Sequence, residues 1–416
     1  MPTSDVAGAG WQPVLTGELA RSATERALEV AARLRGQEDA EPGLDGSAGK
    51  AVLFGQLDRI APGEGWDRHA HEALAAAVRG IESTGRNHPG LFIGHTGVAA
   101  AAAYLSREGS RYGGLLATLD AQIAAVVAEQ SDRFVEEPAR RPFEAFDLIY
   151  GLAGTNRYLL ERDQPQLAGL VALCDSGPDE PNWFTPPEAI RAETAIAEWY
   201  DGGVYNCGLA HGIPGPLAVL AIAFSRGYAV PRQAEAIARV AEWLIAQRAD
   251  DEWGVNWTSC VTPGGPPEIP AHSGWCYGSP GVAYSLWLAG TAIDDAKLRD
   301  LSTEAMAAVY RRPWPVRQIG DSPGLCHGVA GLLQITLRYA NQTGEPAFLE
   351  AAGELTERLL ELYRPEIPTG YYSHSKSNGS VREHPGLLDG ASGVALALLA
   401  ASTRTEPVWD HLLLLS

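Results

Sequence analysis

The chain has 416 residues, of which 51 are acidic and 32 basic, giving a formal net charge of −19. Its 45% of apolar residues is ordinary for a folded globular protein, and the negative charge argues against binding to nucleic acid or anionic lipid. The first residues lack the basic start and apolar run of a signal peptide, and no stretch of about 18 apolar residues predicts a membrane span. We therefore expect a cytoplasmic protein, in which an odd number of cysteines, five, does not indicate a disulfide framework.

Six related segments run through the chain, each a glycine-rich turn followed by small apolar residues. The last glycines of successive turns lie 50 to 66 residues apart. Repetition at this period is typical of a stacked or closed array of one structural unit. The turns lie near residues 94–97, 151–154, 211–215, 277–281, 327–331 and 389–393.

Amphipathic helical patterns lie between the turns. In Pro231 to Arg248, for example, apolar residues recur at three- and four-residue steps. Each unit therefore combines an amphipathic helix, suited to an outer layer, with an apolar helix suited to an inner layer. Residues 1–93 supply one more helical pair, Leu19 to Leu34 and Arg68 to Ile81. We predict an all-α fold, an α/α toroid of six or seven helix pairs, in a single domain over residues 1–416.

Three of the turns carry side chains suited to metal binding. His211 lies in GLAHGIPG, Cys276 in GWCYGSPG, and Cys326 with His327 in GLCHGVAG. In a toroid these turns meet at one rim of the cavity. Zinc favours sulfur and nitrogen ligands, and three protein ligands leave a fourth position open, as in catalytic sites. We therefore take Cys276, Cys326 and His327 as zinc ligands; the alternative is that the two cysteines are buried and structural.

The remaining cysteines and two of the turns have simpler interpretations. Cys174, Cys207 and Cys260 lie in no such context and are predicted to be ordinary buried or half-buried residues. The turns at 94–97 and 389–393 carry no cysteine, so we interpret them as helix starts.

In these motifs the sequence resembles the lanthionine synthetase C family, the cyclases of lanthipeptide biosynthesis. The resemblance covers most of the chain and rests on DLIYGLAG, GLAHGIPGPL, GWCYGSPG and LCHGVAG, in this order. It implies an α/α toroid with one zinc ion near its top. It also implies that the zinc ligands are Cys276, Cys326 and His327, in agreement with the interpretation above.

The resemblance also implies roles for four further residues. Asp147 and Tyr277 match active-site positions, and His211 matches the proposed acid/base residue. Asp147 would orient His211 or stabilise its charged form, although a helix N-cap is the alternative. Tyr277 would hydrogen-bond an enolate oxygen. His272 stands where relatives often carry Arg, which leaves open how an enolate or peptide carbonyl is held and makes His272 a candidate for the substrate pocket.

The function that the resemblance implies is zinc-dependent lanthipeptide cyclisation. Peptide cysteine thiols would undergo Michael-type addition to dehydroalanine or dehydrobutyrine, forming (methyl)lanthionine thioether rings. The substrate would be a dehydrated precursor peptide with leader and core, and a dehydratase and an exporter would be partners in a biosynthetic complex. The sequence leaves open the precursor, its ring pattern and stereochemistry, the leader-binding surface and the oligomeric state.

Three other functions are open. One is zinc-dependent addition of a small thiol such as glutathione to electrophiles. Another is a non-catalytic peptide-binding scaffold of a modification complex. A toroidal glycosidase would need paired carboxylates in the cavity, and the turns offer only Asp389 and the nearby Asp147, so we rank it last.

Overall fold

In the computed structural model most of the described chain forms α-helices joined by loops. The described residues are 10–37, 41–84, 88–176, 181–191, 196, 200–264, 271–374 and 381–416. Their α-helices are α1 (Gly17–Leu34), α2 (Ser47–Ile60), α3 (Trp66–Thr84), α4 (His95–Tyr104), α5 (Gly113–Glu136), α6 (Leu152–Glu161), α7 (Ala168–Cys174), α8 (Pro214–Ser225), α9 (Gln233–Ala246), α10 (Ser279–Ala292), α11 (Ala296–Arg311), α12 (Trp314–Arg317), α13 (Val329–Thr343), α14 (Pro346–Glu361) and α15 (Ala391–Ser402).

Strands are few and short among the described residues, as the sequence predicts. Two antiparallel sheets are formed, one of three strands in the order β1-β2-β3 and one hairpin of β4 and β5. The strands are β1 (Phe184–Thr185), β2 (Val204–Asn206), β3 (Cys260–Val261), β4 (Tyr372–His374) and β5 (Val381–Glu383).

Seven helices form a closed inner ring. Each contacts the next, and the last returns to the first, in the order α2, α4, α6, α8, α10, α13, α15 and again α2. Several of them are small and apolar on all sides: α15, ASGVALALLAAS, is buried from Ala391 through Ala401. A helix that is apolar all round needs cover on every side, which the ring and an outer layer provide.

The outer layer consists of the helices α1, α3, α5, α7, α9, α11 and α14. In α9 the buried residues include Ala236, Ile237, Val240, Ala241 and Leu244, the one-sided spacing expected of a helix with one face in water. Helix α1 packs on α15, so the first outer helix covers the last inner one. The predicted α/α toroid is confirmed, with seven inner and seven outer helices among the described residues. That all of residues 1–416 form one domain stays a prediction.

One inner helix was not predicted. The segments predicted in residues 1–93 correspond to α1 and α3, but both are outer helices and belong to different pairs, α1 with α15 and α3 with α2. The inner helix α2 begins within the turn Gly46–Gly49, GSAG, which has the same Gly-x-x-Gly spacing as the other six. Polar residues such as Lys50 and Gln56, both buried, interrupt its apolar run and hide the pattern.

The Gly-x-x-Gly turns are compact because the chain folds back on the helix it has just begun. A Cβ atom on Gly331 would lie 1.9 Å from the carbonyl oxygen of Leu325, and one on Gly281 would lie 2.4 Å from that of Trp275. Only glycine permits this approach. The residue before the first glycine of each turn is thereby placed on the rim of the ring. These seven residues are Asp45, Ile93, Tyr150, His211, Tyr277, His327 and Asp389.

Backbone hydrogen bonds join the seven turns into a closed belt. Each turn donates a backbone N–H to a carbonyl of the next turn around the ring. The donor and acceptor pairs are Asp45 to Phe92, Phe92 to Ile149, Leu148 to Ala210, Ala210 to Cys276, Cys276 to Cys326, Cys326 to Leu388, and Leu387 to Leu44, with N···O distances of 2.9 to 3.5 Å.

A segment near residue 410 is buried among the inner helices. Trp409 and Leu413 in the 3₁₀ helix Val408–Leu413 are fully buried. The carboxylate of Asp410 accepts hydrogen bonds from Gln334 at 2.7 Å and from Arg338 at 2.7 and 2.5 Å. No helix among the described residues is long and apolar enough to cross a membrane.

Candidate metal centre and active site

The three residues predicted to bind metal lie together on the rim. One ligand atom each of Cys276, Cys326 and His327 falls within 4.8 Å of the other two. The backbone N–H of Cys276 donates to the carbonyl of Cys326 at 3.0 Å, which fixes the two turns side by side. The indole Nε1 of Trp275 donates to the carbonyl of Leu413 at 2.9 Å. The buried segment near residue 410 therefore supports the turn that carries Cys276.

The surroundings of Cys276 favour a thiolate. Burial alone would raise the pKa of this thiol, but hydrogen bonds with Cys326, His272 and His327 lower the pKa well below its usual value. In contrast, burial raises the pKa of Cys174, of Cys260 and, to about 12, of Cys207. These three cysteines are buried, as predicted, and their environments keep them as thiols.

A histidine–aspartate pair lies beside the cysteines. His211 Nδ1 is 2.6 Å from Asp147 Oδ2, and Asp147 is fully buried. The other oxygen, Oδ1, accepts the backbone N–H groups of Tyr150 at 2.7 Å and Gly151 at 2.9 Å. Asp147 thus braces the turn before α6 and holds His211, but it is not the helix N-cap, because that position belongs to Gly151.

The charge of Asp147 acts on His211. Burial alone would lower the pKa of His211, but the hydrogen bond and negative charge of Asp147 raise the pKa above its usual value. Because Nδ1 is engaged by the carboxylate, Nε2 is the nitrogen available to a reacting group. This is the arrangement of a general acid/base histidine oriented by a carboxylate.

Tyr277 and His272 lie between this pair and the cysteines. The Tyr277 ring centroid is 6.1 Å from that of His211 and 6.2 Å from that of His272. The His272 ring is in turn 6.3 Å from that of His327. Burial raises the pKa of Tyr277 well above its usual value, so the phenol stays protonated. His272 belongs to the site because its ring lies close to those of Tyr277 and His327.

Three polar residues at the site were not assigned to it from sequence. Asn206 is buried, and its Nδ2 donates to the Tyr277 hydroxyl at 3.0 Å. Asp389 Oδ1 lies 3.5 Å from His327 Nδ1, and Asp45 Oδ1 accepts the backbone N–H of Leu388 at 3.0 Å. A signal for the two carboxylates exists, because both precede the first glycine of a turn, as His211, Tyr277 and His327 do. Asn206 has no comparable signal.

A cavity of about 730 Å³ opens beside the metal-binding residues. Its wall combines an indole and aliphatic groups with the ion-paired side chains of Arg358, Asp321 and Glu361. The residues lining it include Trp314, Gln318, Ile319, Ser322, His327 and Arg358.

The fold and the site together define a class of protein: an α/α toroid whose rim holds a Cys₂His cluster beside a His–Asp pair. The family model described as lanthionine synthetase C-like protein matches residues 43–414. The chain therefore belongs to the lanthionine synthetase C-like family.

Two relatives illustrate the similarity. The nisin biosynthesis protein NisC of Lactococcus lactis subsp. lactis is 26% identical over 308 residues, which cover 68% of this chain and 70% of that protein. The solved structure of nisin cyclase matches with a TM-score of 0.77 at 22% identity, covering 96% of this chain and 98% of that one. The latter similarity is one of fold.

Proposed function

We propose that the protein is a zinc-dependent lanthipeptide cyclase, which adds cysteine thiols of a dehydrated precursor peptide to dehydroalanine or dehydrobutyrine. The observation that carries the proposal is the meeting of Cys276, Cys326 and His327 within 4.8 Å on a rim that also holds the His211–Asp147 pair. Family membership over residues 43–414 supports it.

The donor set fits zinc. Two sulfurs and one imidazole nitrogen are typical zinc ligands, and three protein ligands leave one position for a substrate. The lowered pKa of the Cys276 thiol favours the thiolate that a metal requires. Zinc bound here supplies a Lewis acid that keeps a substrate thiol deprotonated near neutral pH.

His211 supplies the proton transfer that the addition needs. The sulfur forms a bond to the β-carbon, the carbon–carbon double bond becomes an enolate, and the thiol proton ends on the α-carbon. His211 takes that proton and delivers it through Nε2, while Asp147 holds Nδ1 and stabilises the imidazolium. His211 accepts one proton and donates one proton for each ring, so the enzyme returns to its starting state.

We assign stabilisation of the enolate to Tyr277. Asn206 donates to the Tyr277 oxygen, so the hydroxyl proton of Tyr277 is directed elsewhere and serves as a donor. The developing enolate oxygen accepts it, an interaction that gains strength as charge accumulates. His272, next to Tyr277, is the side chain that takes the place of the family's Arg beside the substrate carbonyl.

The substrate suits the charge and shape of the protein. A net charge of −19 favours a cationic or neutral peptide. The cavity beside His327 gives room for residues flanking the reacting cysteine. A leader-bearing precursor, and a dehydratase and an exporter in the same complex, belong to the proposal as partners.

Ring formation tests the proposal directly. The zinc-loaded protein is incubated with a dehydrated peptide that contains one cysteine, and remaining thiol is counted by mass after alkylation with N-ethylmaleimide. Wild type should remove the thiol without changing the peptide mass. His211→Ala should bind zinc and form no rings, whereas His71→Ala, on the exposed face of α3, should behave as wild type. Rings formed by His211→Ala at the wild-type rate would refute the acid/base assignment.

The same assay separates the alternatives. With glutathione present, an intermolecular adduct gains the mass of the thiol and a ring does not, so a mass gain would favour the small-thiol reaction. A protein that binds the peptide but leaves every thiol alkylatable would be a scaffold.

A further inference from the structure

His327 is backed by a carboxylate, as His211 is. The Nδ1 atom of His327 lies 3.5 Å from Asp389 Oδ1, and both side chains are largely shielded from solvent, with 13% and 25% exposed. A metal-ligating histidine generally gives its second ring N–H to a carboxylate or carbonyl, which fixes the tautomer and the ring plane. With Nδ1 toward Asp389, Nε2 would be the nitrogen that holds a metal.

Asp389 is itself held by Asp45 from the turn before α2. Asp45 Oδ1 accepts the backbone N–H of Leu388 at 3.0 Å and that of Asp389 at 3.4 Å. These bonds fix the backbone from which the Asp389 side chain projects. Their geometry requires closure of the ring, since the partners lie more than 340 residues apart in the chain.

His384 completes the arrangement. Its Nδ1 accepts the backbone N–H of Gly386 at 3.2 Å, so in the neutral ring the hydrogen is on Nε2. That Nε2 lies 3.3 Å from Asp45 Oδ2, within ion-pair distance. Asp45 therefore faces an imidazole on one oxygen and accepts backbone N–H groups on the other.

We propose that Asp389 is a positioning residue for the metal centre, which orients His327 as a ligand, and that Asp45 and His384 hold Asp389 in place. The inference rests on the proposed function only in taking Cys276, Cys326 and His327 as the metal ligands. It assigns no direct contact with substrate to Asp389, Asp45 or His384.

The test is zinc affinity, measured by competition with a chromogenic chelator on zinc-free protein. Loss of a supporting partner of a metal ligand typically weakens metal binding roughly 10- to 100-fold. We expect Asp389→Asn to raise the zinc dissociation constant at least about tenfold, with Asp45→Asn changing it in the same direction by a smaller factor. Asp321→Asn, at an exposed Asp that lines the same cavity, is the matched control and should bind zinc as wild type does.

Zinc binding by Asp389→Asn equal to that of wild type would overturn the inference, as would the absence of zinc binding by wild type. If the melting temperature of zinc-free Asp389→Asn is below that of wild type, the zinc affinities of Asp389→Glu and Asp389→Gln are compared instead. The two new side chains have the same length, but only that of Glu is charged. Tighter binding by Glu supports the inference, and equal binding overturns it. Ring formation is scored separately. If Asp389→Asn binds zinc more weakly than wild type but the zinc-loaded wild type forms no rings, only the proposed function is refuted.

Discussion

His211 Nδ1 lies 2.6 Å from Asp147 Oδ2, although the two residues are 64 positions apart in the chain. The contact joins neighbouring turns of the belt, because the backbone N–H of Leu148 donates to the carbonyl of Ala210 at 3.0 Å. The belt thus places a buried carboxylate against a rim histidine and gives that histidine its raised pKa.

Removing the charge of Asp147 should change the pH dependence of cyclisation. His211 delivers a proton in its charged form, so the rate falls as pH rises through its pKa, which Asp147 holds above the usual value. In Asp147→Asn this alkaline limb should move to lower pH, and the rate at pH 7 should fall by roughly 10²- to 10⁴-fold. A pH–rate profile measures both.

The matched control for this prediction is Asp132→Asn, at an exposed position on the outer helix α5. It should leave the limb where wild type has it. An alkaline limb that does not move in Asp147→Asn would show that His211 is not the titrating acid.

Cys326→Ala should lose the metal. Removal of one of three ligands leaves a thiolate and an imidazole, too few to hold zinc against a chelator. We expect about one zinc per wild-type chain and close to none in the variant, with retained helix content. Elemental analysis after gel filtration gives the ratio. Cys174→Ala, at a buried cysteine of α7, is the control and should keep its zinc; zinc retained by Cys326→Ala would mean that Cys326 is not a ligand.

Tyr277→Phe should slow ring formation without affecting zinc. The substitution removes the hydroxyl proposed to donate to the enolate, and loss of one such donor typically costs on the order of 10²-fold in rate. Single-turnover kinetics with a one-ring peptide isolate this step from peptide binding.

Tyr228→Phe removes a hydroxyl that bonds Asp163 away from the site and should cyclise at the wild-type rate. Equal single-turnover rates for Tyr277→Phe and wild type would limit Tyr277 to a packing role.

The buried ion pair near residue 410 should dominate local stability. Asp410 is fully buried and accepts hydrogen bonds from Arg338 and Gln334, so Asp410→Ala leaves a buried guanidinium without its carboxylate. Such a change costs about 3–5 kcal/mol of unfolding free energy. Denaturant unfolding of wild type and variant measures the loss.

The exposed pair of Arg358 and Asp321 provides the control, because Asp321→Ala should cost no more than about 1 kcal/mol. A similar small loss for Asp410→Ala would show that the segment Val408–Leu413 contributes little to holding the inner ring.

Much of this protein is determined by local sequence. Apolar periodicity distinguishes the outer helix α9 from the inner helices, since burial on one side or on all sides leaves its own spacing of residues. The glycines of each turn are required by a close backbone approach, so the turns can be found without a structure. The cluster of Cys276, Cys326 and His327 is predictable for the same reason, because its members occupy equivalent turns.

The tertiary structure alone decides which distant residues become neighbours. The apolar pattern of helix α2 is interrupted by buried polar residues such as Lys50, so the sequence did not predict this helix. The Lys50 ammonium donates a hydrogen bond to the carbonyl of Gln37. Asp389 can be seen to precede a glycine turn, but its position near His327 depends on how two consecutive turns pack together, and its support by Asp45 depends on the last turn closing on the first. The periodicity of apolar residues indicates which residues are buried. It does not indicate how the first and last turns align when the ring closes, and that alignment determines which side chains meet on the rim.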